Sequence, residues 1–403
     1  MRSTLYHTPE GVRDRYNEEI ARKNTVRNRI ISQMHSFGYR DIETPTVEFF
    51  DVFNKDRGSV ENRDMFKLFD KEGNTLVLRP DITPSIARAV SKYFMDEDMP
   101  IRLSYCGNTF YNGSSLQGKM KEVTQLGAEL IGDETSDADA EIIAMLINSL
   151  AASGLKDFQV EIGHAGFFKG LIAESNLSDE EIEQLTYFYE NKNYFGIESL
   201  LEANGKVPED CKKGLLDLTQ TFGNIEQIKD LKERSGNKTV VSIIEYLEKV
   251  YDILSYYGLE KYVSFDLGIL GHYKYYTGII IQAFTYGTGE MIATGGRYDK
   301  LISQFGKDVS SVGFGINQDL LMLALSRLGI EVDTDIYADI LLYEREHKKQ
   351  AIEYALELRK QGRHIQLMKK FHEKSLEDYI EYAKRNFIDK IIYIDSNGNR
   401  KVL

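Results

Sequence analysis

The sequence predicts an α+β protein: an antiparallel sheet flanked by helices over residues 1–329, a helical insertion at about 170–260 within it, and a small C-terminal α/β domain at 331–403. Three observations lead there. The segments TLVLRP and IRLSYCG are rich in β-branched and aromatic residues, and QLGAELIG, which follows the polar loop NGSSLQGKMK, reads as a hairpin's return strand. A long charged tract with helical patterning then interrupts the strand segments. Strand and helix alternate after residue 331, as in a small α/β unit.

At 403 residues the chain exceeds what one hydrophobic core usually supports, so two or three packed units are expected. Hydrophobic residues make up 42% and charged residues 28%, which excludes a disordered chain. The longest apolar stretches, such as Ile142 to Ile147, are far short of the ~20 residues that span a bilayer. The N-terminus MRSTLYHTPEGVRD lacks the apolar core of a secretory signal, so a cytoplasmic protein without membrane contact is expected. A formal net charge of -13 makes the surface a poor counter-ion for phosphate polymers. Cys106 and Cys211 show no paired spacing, and the seven histidines show no ligand spacing, so neither disulfide nor metal is expected.

Taken in order, Ile20, Val26, Ile30, Met34 and Phe37 recur mostly three to four apart and predict an amphipathic helix from Asn17 to Phe37. Five of the six prolines fall between Pro9 and Pro100 and punctuate the strands and loops that follow. ADAEIIAMLINSLAASG reads as a helix and KDFQVEIGH as a strand. In the insertion, Asn176 or Ser178 is placed to cap a helix whose first turn is acidic. Strands resume at Val263 and run through TGIIIQAFTYG to the Gly-rich ATGGRYDKL, where Gly295-Gly296 reads as a tight turn, not a phosphate loop. SVGFGINQDLLMLALSRLG reads as a strand entering a helix. Beyond it come ADILLYE, a helix from His347 to Gln361, HIQLM, a helix from Ser375 to Asn386, and KIIYI. This last unit carries 14 Lys plus Arg and 14 Asp plus Glu, a balance that lacks the charge of an RNA-binding module.

A few residues are placed to do chemistry. LRPDIT sets Arg79 and Asp81 two apart at a strand end, with Thr83 beyond, so that charged and hydroxyl groups converge on one pocket. QLGAE spaces Gln125 and Glu129 four apart, on one face of a strand. YKYYTG supplies Tyr273, Tyr275 and Tyr276, which equally suit core packing. No nucleophile elbow is present.

In order, GYRDIETPTVEFFDVF, MFKLF, LVLRPDIT, GNTFYNGSSLQGKMKEVTQLGAELIG, YYTG, ATGGRYDKL and SVGFGI resemble the class II aminoacyl-tRNA synthetase-like domain of histidyl-tRNA synthetases, over about residues 5–328. The resemblance implies an antiparallel sheet of six or seven strands and a homodimer interface built by the first motif, which here ends at Pro45. It breaks at three arginines: Tyr111 follows Phe110 where the synthetases carry the arginine that grips the ATP α-phosphate, Gly271 stands where a second is expected, and Asp319-Leu320 replaces glutamate-arginine. Losing one such donor typically costs about 10² to 10³ in rate. Lys119 and Lys121 remain in the second-motif loop, but a point charge replaces a bidentate fork poorly.

The amino-acid half is kept. By resemblance, Asp81, Thr83 and Gln125 stand where the synthetases hold the α-ammonium of histidine. Glu129, Tyr275 and Tyr276 stand where they hold the imidazole. The arginine expected to meet the carboxylate is missing at Gly271 and Lys274. Such a chain closely resembles the regulatory subunits of ATP phosphoribosyltransferase. The resemblance implies a non-catalytic, cofactor-free protein. It would form a homodimer within a hetero-octamer with the short-form catalytic subunit, activate the first step of histidine biosynthesis and bind histidine for feedback. A divergent histidyl-tRNA synthetase-like ligase and a tRNA-binding paralogue are the alternatives.

Overall fold

The computed structural model describes residues 6–54, 57, 60–113, 120–219, 222–270, 275–334, 338–386 and 388–403. Two units are present: residues up to Asp14 with Val26–Glu331, and Arg15–Thr25 with Val332–Leu403. Residues 15–25, given to the first unit by the sequence reading, thus group with the second.

The chain runs through α1 (Asn17–Ser36), β1 (Arg40–Asp41), β2 (Val47–Phe49), β3 (Lys67–Phe69), β4 (Thr75–Leu78), α2 (Thr83–Tyr93), β5 (Ile101–Phe110), β6 (Glu122–Ile131), α3 (Ser136–Ala152) and β7 (Phe158–His164). A helical run follows: α4 (Ala165–Glu174), α5 (Asp179–Glu190), α6 (Tyr194–Ala203), α7 (Glu209–Leu218), the short β8 (Phe222–Gly223), α8 (Ile225–Arg234) and α9 (Lys238–Tyr256). β9 (Val263–Asp266), β10 (Ile279–Thr285), β11 (Ala293–Arg297), β12 (Ser311–Asn317) and α10 (Gln318–Arg327) complete this part.

The nine-stranded sheet has the order β1-β5-β6-β12-β11-β10-β7-β9-β8. The six strands from β5 to β7 are antiparallel throughout. Parallel pairs flank them, β1 on β5 and β9 on β7. Two residues of β1 follow α1 closely, and β9 returns only after the helical run, so both arrive by crossovers that local sequence does not announce. A separate sheet, β2-β4-β3, lies beside it in sequence.

Alternation divides the two faces of the large sheet. Leu126, Ala128, Leu130, Val312, Phe314, Ile316, Ile281, Ala283, Val160 and Ile162 share one face and are buried. α3 packs on β6 and β12 there, and on α9 behind. This explains why its residues Ile142 to Ile147 are apolar all round. Each such side chain contributes about 1.5–3 kcal/mol by burial.

The opposite face is split. α2 covers one end, where Ile82, Ile86 and Val90 meet Ile101, Leu103, Tyr105, Ile131 and Ile280. The other end is polar, with Glu161, Gln282 and Thr294 in register across β7, β10 and β11 and Gln125 of β6 two residues off that line on the same face. The boundary between covered and open halves is where Glu129 sits.

One buried ion pair ties α3 to the sheet. The Arg297 guanidinium meets Asp139 at 2.6 Å, and the Tyr246 hydroxyl of α9 donates to the same carboxylate at 2.5 Å.

In the second unit β13 (Asp339–Tyr343), β14 (Ile365–Lys369), β15 (Ile391–Ile394) and β16 (Arg400–Val402) form a sheet of order β14-β13-β15-β16, parallel except for β16. α11 (Lys348–Lys360) packs Ala351, Ala355 and Leu358 on Leu341 and Ile394, while α12 (Leu376–Arg385) packs Tyr379 and Ala383 on Ile340 and Leu342. Cover on both faces accounts for the unbroken apolar runs DILLY and IIYI.

Asp139→Ala leaves the Arg297 charge buried without its partner, and should cost about 3–5 kcal/mol of stability, read as a lowered urea midpoint. An unchanged midpoint contradicts this role for the pair.

Candidate functional site

The site is built at the start of α2 and on the open side of the sheet. Pro84 at the second helical position fixes the entry of α2, so that Asp81, just before the helix, and Thr83, its first residue, stand over β6. The Thr83 hydroxyl donates to Glu129 Oε1 at 2.8 Å. The Tyr298 hydroxyl donates to the other oxygen, Oε2. Asp81 Oδ1 accepts from the Ile82 amide at 2.7 Å and from Gln125 Nε2 at 3.3 Å, and Tyr275 donates to Oδ2 at 3.3 Å. The rings of Tyr275 and Tyr276 meet edge to face at 5.2 Å, and Tyr275 meets Tyr298 likewise at 5.9 Å. Asp81, Thr83, Gln125, Glu129, Tyr275 and Tyr276, the six residues singled out from the sequence, therefore line one recess, joined by Tyr298.

Glycines make the recess possible. Gly313 faces Glu129 across β6 and β12, and a Cβ there would stand 1.6 Å from Glu129 Oε2. A Cβ on Gly315 would stand 2.4 Å from Gln125 Nε2. Gly295-Gly296, expected as a tight turn, instead lies within β11. Close packing requires it: a Cβ on Gly295 would meet the Gly313 carbonyl at 2.5 Å, and one on Gly296 would meet the Tyr276 ring at 2.9 Å.

Glu129 is 1% exposed. Burial, opposed by the hydroxyls and reinforced by the nearby Asp81 charge, pushes its carboxyl up to about 8. Burial also raises Asp81, against the pull of the Ile82 amide and Gln125. Burial and the carboxylate beside it push the Tyr298 phenol well up, which keeps it a donor.

The recess, about 20 Å³, shares Asp81, Gln125, Thr294 and Gly315 with a wider cleft of about 820 Å³. The cleft is acidic. Asp81, Glu161, Glu190, Asp266 and Glu290 line it, and among the described residues the cation on its wall is Lys192. Glu161 is raised by burial and by the Asp266 charge.

Arg79 does not join the recess. Its Nε donates to the Asn108 carbonyl at 2.9 Å and its Nη1 to the Thr44 carbonyl at 2.6 Å, so it braces the loop after β1 against β5. The expected convergence of Arg79 with Asp81 is thereby corrected: a buried guanidinium takes the backbone carbonyls nearest to it. Tyr111 is 40% exposed and its hydroxyl lies 3.4 Å from Asp64 Oδ2. Leu320 lines the cleft, and Asp319 Oδ2 accepts from the Thr124 amide at 2.7 Å. Lys119, Gly271, Tyr273 and Lys274 lie outside the described residues. Tyr298 was missed in the sequence, although the Tyr of ATGGRYD was its only available signal. Among the described residues no group of His, Cys, Asp or Glu is arranged to hold a metal, and no helix is long and apolar enough to cross a membrane.

Because the Glu129 carboxyl is raised from 4.5 to about 8, the folded chain keeps a proton that the unfolded chain releases. Its contribution to stability is therefore lost as pH rises through that window, by at most about 1.4 kcal/mol per unit. Glu129→Gln removes the titration, so the parent's stability relative to the variant should decline from pH 5 to pH 8. A pH-independent difference in urea midpoints contradicts the assignment.

Comparison with known proteins shows the family. A family model described as Histidyl-tRNA synthetase matches residues 11–321. An ATP phosphoribosyltransferase regulatory subunit from Ruminiclostridium cellulolyticum is 40% identical over 97% of this chain and 93% of its own length. The crystal structure of an ATP phosphoribosyltransferase regulatory subunit/histidyl-tRNA synthetase from Bacillus halodurans superposes with a TM-score of 0.86 at 30% identity, covering 97% of this chain and 99% of that one. Histidyl-tRNA synthetase from Nostoc shares the fold, with a TM-score of 0.81 at 19% identity over 99% of this chain and 96% of that one. The chain belongs to the family of ATP phosphoribosyltransferase regulatory subunits, built on the class II histidyl-tRNA synthetase fold.

Proposed function

We propose that this chain is the non-catalytic regulatory subunit of an ATP phosphoribosyltransferase. In this reading it activates a short-form catalytic subunit in the first step of histidine biosynthesis, in the cytoplasm. It binds histidine in the recess and conveys feedback inhibition, and it works as a homodimer within a hetero-octamer. The observation that carries the reading is the pairing of a buried, hydroxyl-held carboxylate with an acidic cleft. Glu129 offers an acceptor to an imidazole N-H, and a competitor without that group would leave buried polar atoms unpaired. Asp81 and Gln125 suit the α-ammonium.

The wide cleft is the observation that favours a ligase, since 820 Å³ exceeds what histidine fills. Its walls argue otherwise. Five carboxylates face one described cation there, and a triphosphate needs the opposite charge. For self-association, the grounds are Val47, Phe49, Leu68 and Phe69 of the small sheet, which are 44%, 56%, 42% and 74% exposed.

The test is reconstitution with a short-form catalytic subunit. Turnover should rise on mixing and fall when histidine is added. Glu129→Ala should keep the activation and weaken histidine inhibition about 30-fold or more, the equivalent of ~2 kcal/mol. Loss of activation together with inhibition contradicts the site.

Histidine affinity should also be bell-shaped in pH. Free imidazole titrates near 6.5 and Glu129 near 8, so between these values ligand and site together bring the single proton that a carboxylate-imidazole pair holds. Below the window the complex must shed a proton, and above it must take one up, so affinity falls on both sides. Calorimetry across pH 5.5 to 9 reads this, and a monotonic profile contradicts it.

A further inference from the structure

We propose that Lys169 of α4 is a positioning residue that ties the Tyr276 wall of the recess to the helices α4 to α9, so that histidine occupancy and the arrangement of those helices change together. The proposal rests on the reading of the recess as a histidine site.

Lys169 Nζ donates to the Tyr276 carbonyl at 2.8 Å. Lys169 as a whole is exposed, but its ammonium reaches a part-buried contact, and among the described residues no carboxylate forms an ion pair with it. Burial lowers its pKa. An ammonium ordinarily left in water is committed instead to one backbone oxygen at the edge of the recess. At about 20 Å³ the recess holds roughly one water, so an imidazole ring enters only if the tyrosines around it shift. A shift of the Tyr276 backbone is felt first at Lys169.

From there the path is tightly packed. Gly170 lies against α9, where a Cβ would stand 2.5 Å from Thr239 Cγ2. Gly214 of α7 lies against Leu171, with 2.7 Å to Cδ2. Cys211 Sγ donates to the Leu171 carbonyl at 2.9 Å, and Asn237 Nδ2 at the start of α9 donates to Glu174 at 2.8 Å. α4 cannot move without moving α7 and α9. A second contact runs beside the first: Phe168 meets Tyr189 of α5 edge to face at 5.2 Å, and Tyr189 to Lys192 line the wide cleft. Two adjacent residues of α4 thus touch a residue of the recess and a residue of the wide cleft.

The test compares the full chain with Lys169→Met and Lys169→Arg, by histidine calorimetry and by hydrogen exchange with and without histidine. In the parent, histidine should change exchange in α4, α7 and α9 as well as around the recess. Lys169→Met should bind histidine about 10-fold more weakly, within the usual range of coupling between sites, and lose the change in α7 and α9. Lys169→Arg, which can still donate to the Tyr276 carbonyl, should restore both. Equal affinity and equal exchange in Lys169→Met overturn the coupling alone. Should that variant fail to fold, the parent decides: histidine protection confined to the recess overturns the coupling. A parent that binds no histidine overturns the recess reading and the coupling with it.

Discussion

A carboxylate sealed from water governs this site. Glu129 is held by a threonine hydroxyl from the start of α2 and a tyrosine hydroxyl from the end of β11, and the neighbouring strand gives up its side chains at Gly313 and Gly315 to make room. Each of these demands constrains the fold. α2 must enter over β6 at one height, β12 must pair with β6 in one register, and the β11 end must bring Tyr298 back under α2. A one-residue slip in β6 would turn Glu129 into the apolar face against α3. A polar group so placed is costly unless satisfied, which is why the recess is lined by hydroxyls and an amide.

The same sheet supports two different environments on one face. Where α2 covers it, the face is apolar and closed. Beyond the start of α2, the face carries Gln125, Glu161, Gln282 and Thr294 into an acidic cleft. A synthetase would need cations there to hold a nucleotide through its reaction. Among the described residues this chain places Leu320, five carboxylates and Lys192 on the cleft wall, beside the recess. The family to which the chain belongs is named for regulation.

Much of this was legible in the sequence, and for identifiable reasons. The six residues that line the recess fall in short ordered strings, and a strand periodicity of two is enough to put Gln125 and Glu129 on one face. Ser178 caps α5 with a reciprocal bond from Glu181, as its acidic first turn indicated. What was not legible depends on distant partners. The parallel pairings of β1 and β9 join segments that nothing local connects. Gly295-Gly296 looks like a turn until Gly313 and Tyr276 are seen against it. Arg79 looks like a site residue until Thr44 and Asn108 claim it, and Arg297 finds Asp139 across 158 residues.

The central claim, a histidine site that needs no nucleotide, is tested most directly by titrating histidine calorimetrically into the purified chain with and without ATP and magnesium. The account predicts one saturable site per chain with the same affinity in both conditions. Heat that appears only with ATP, or no heat in either, would contradict it.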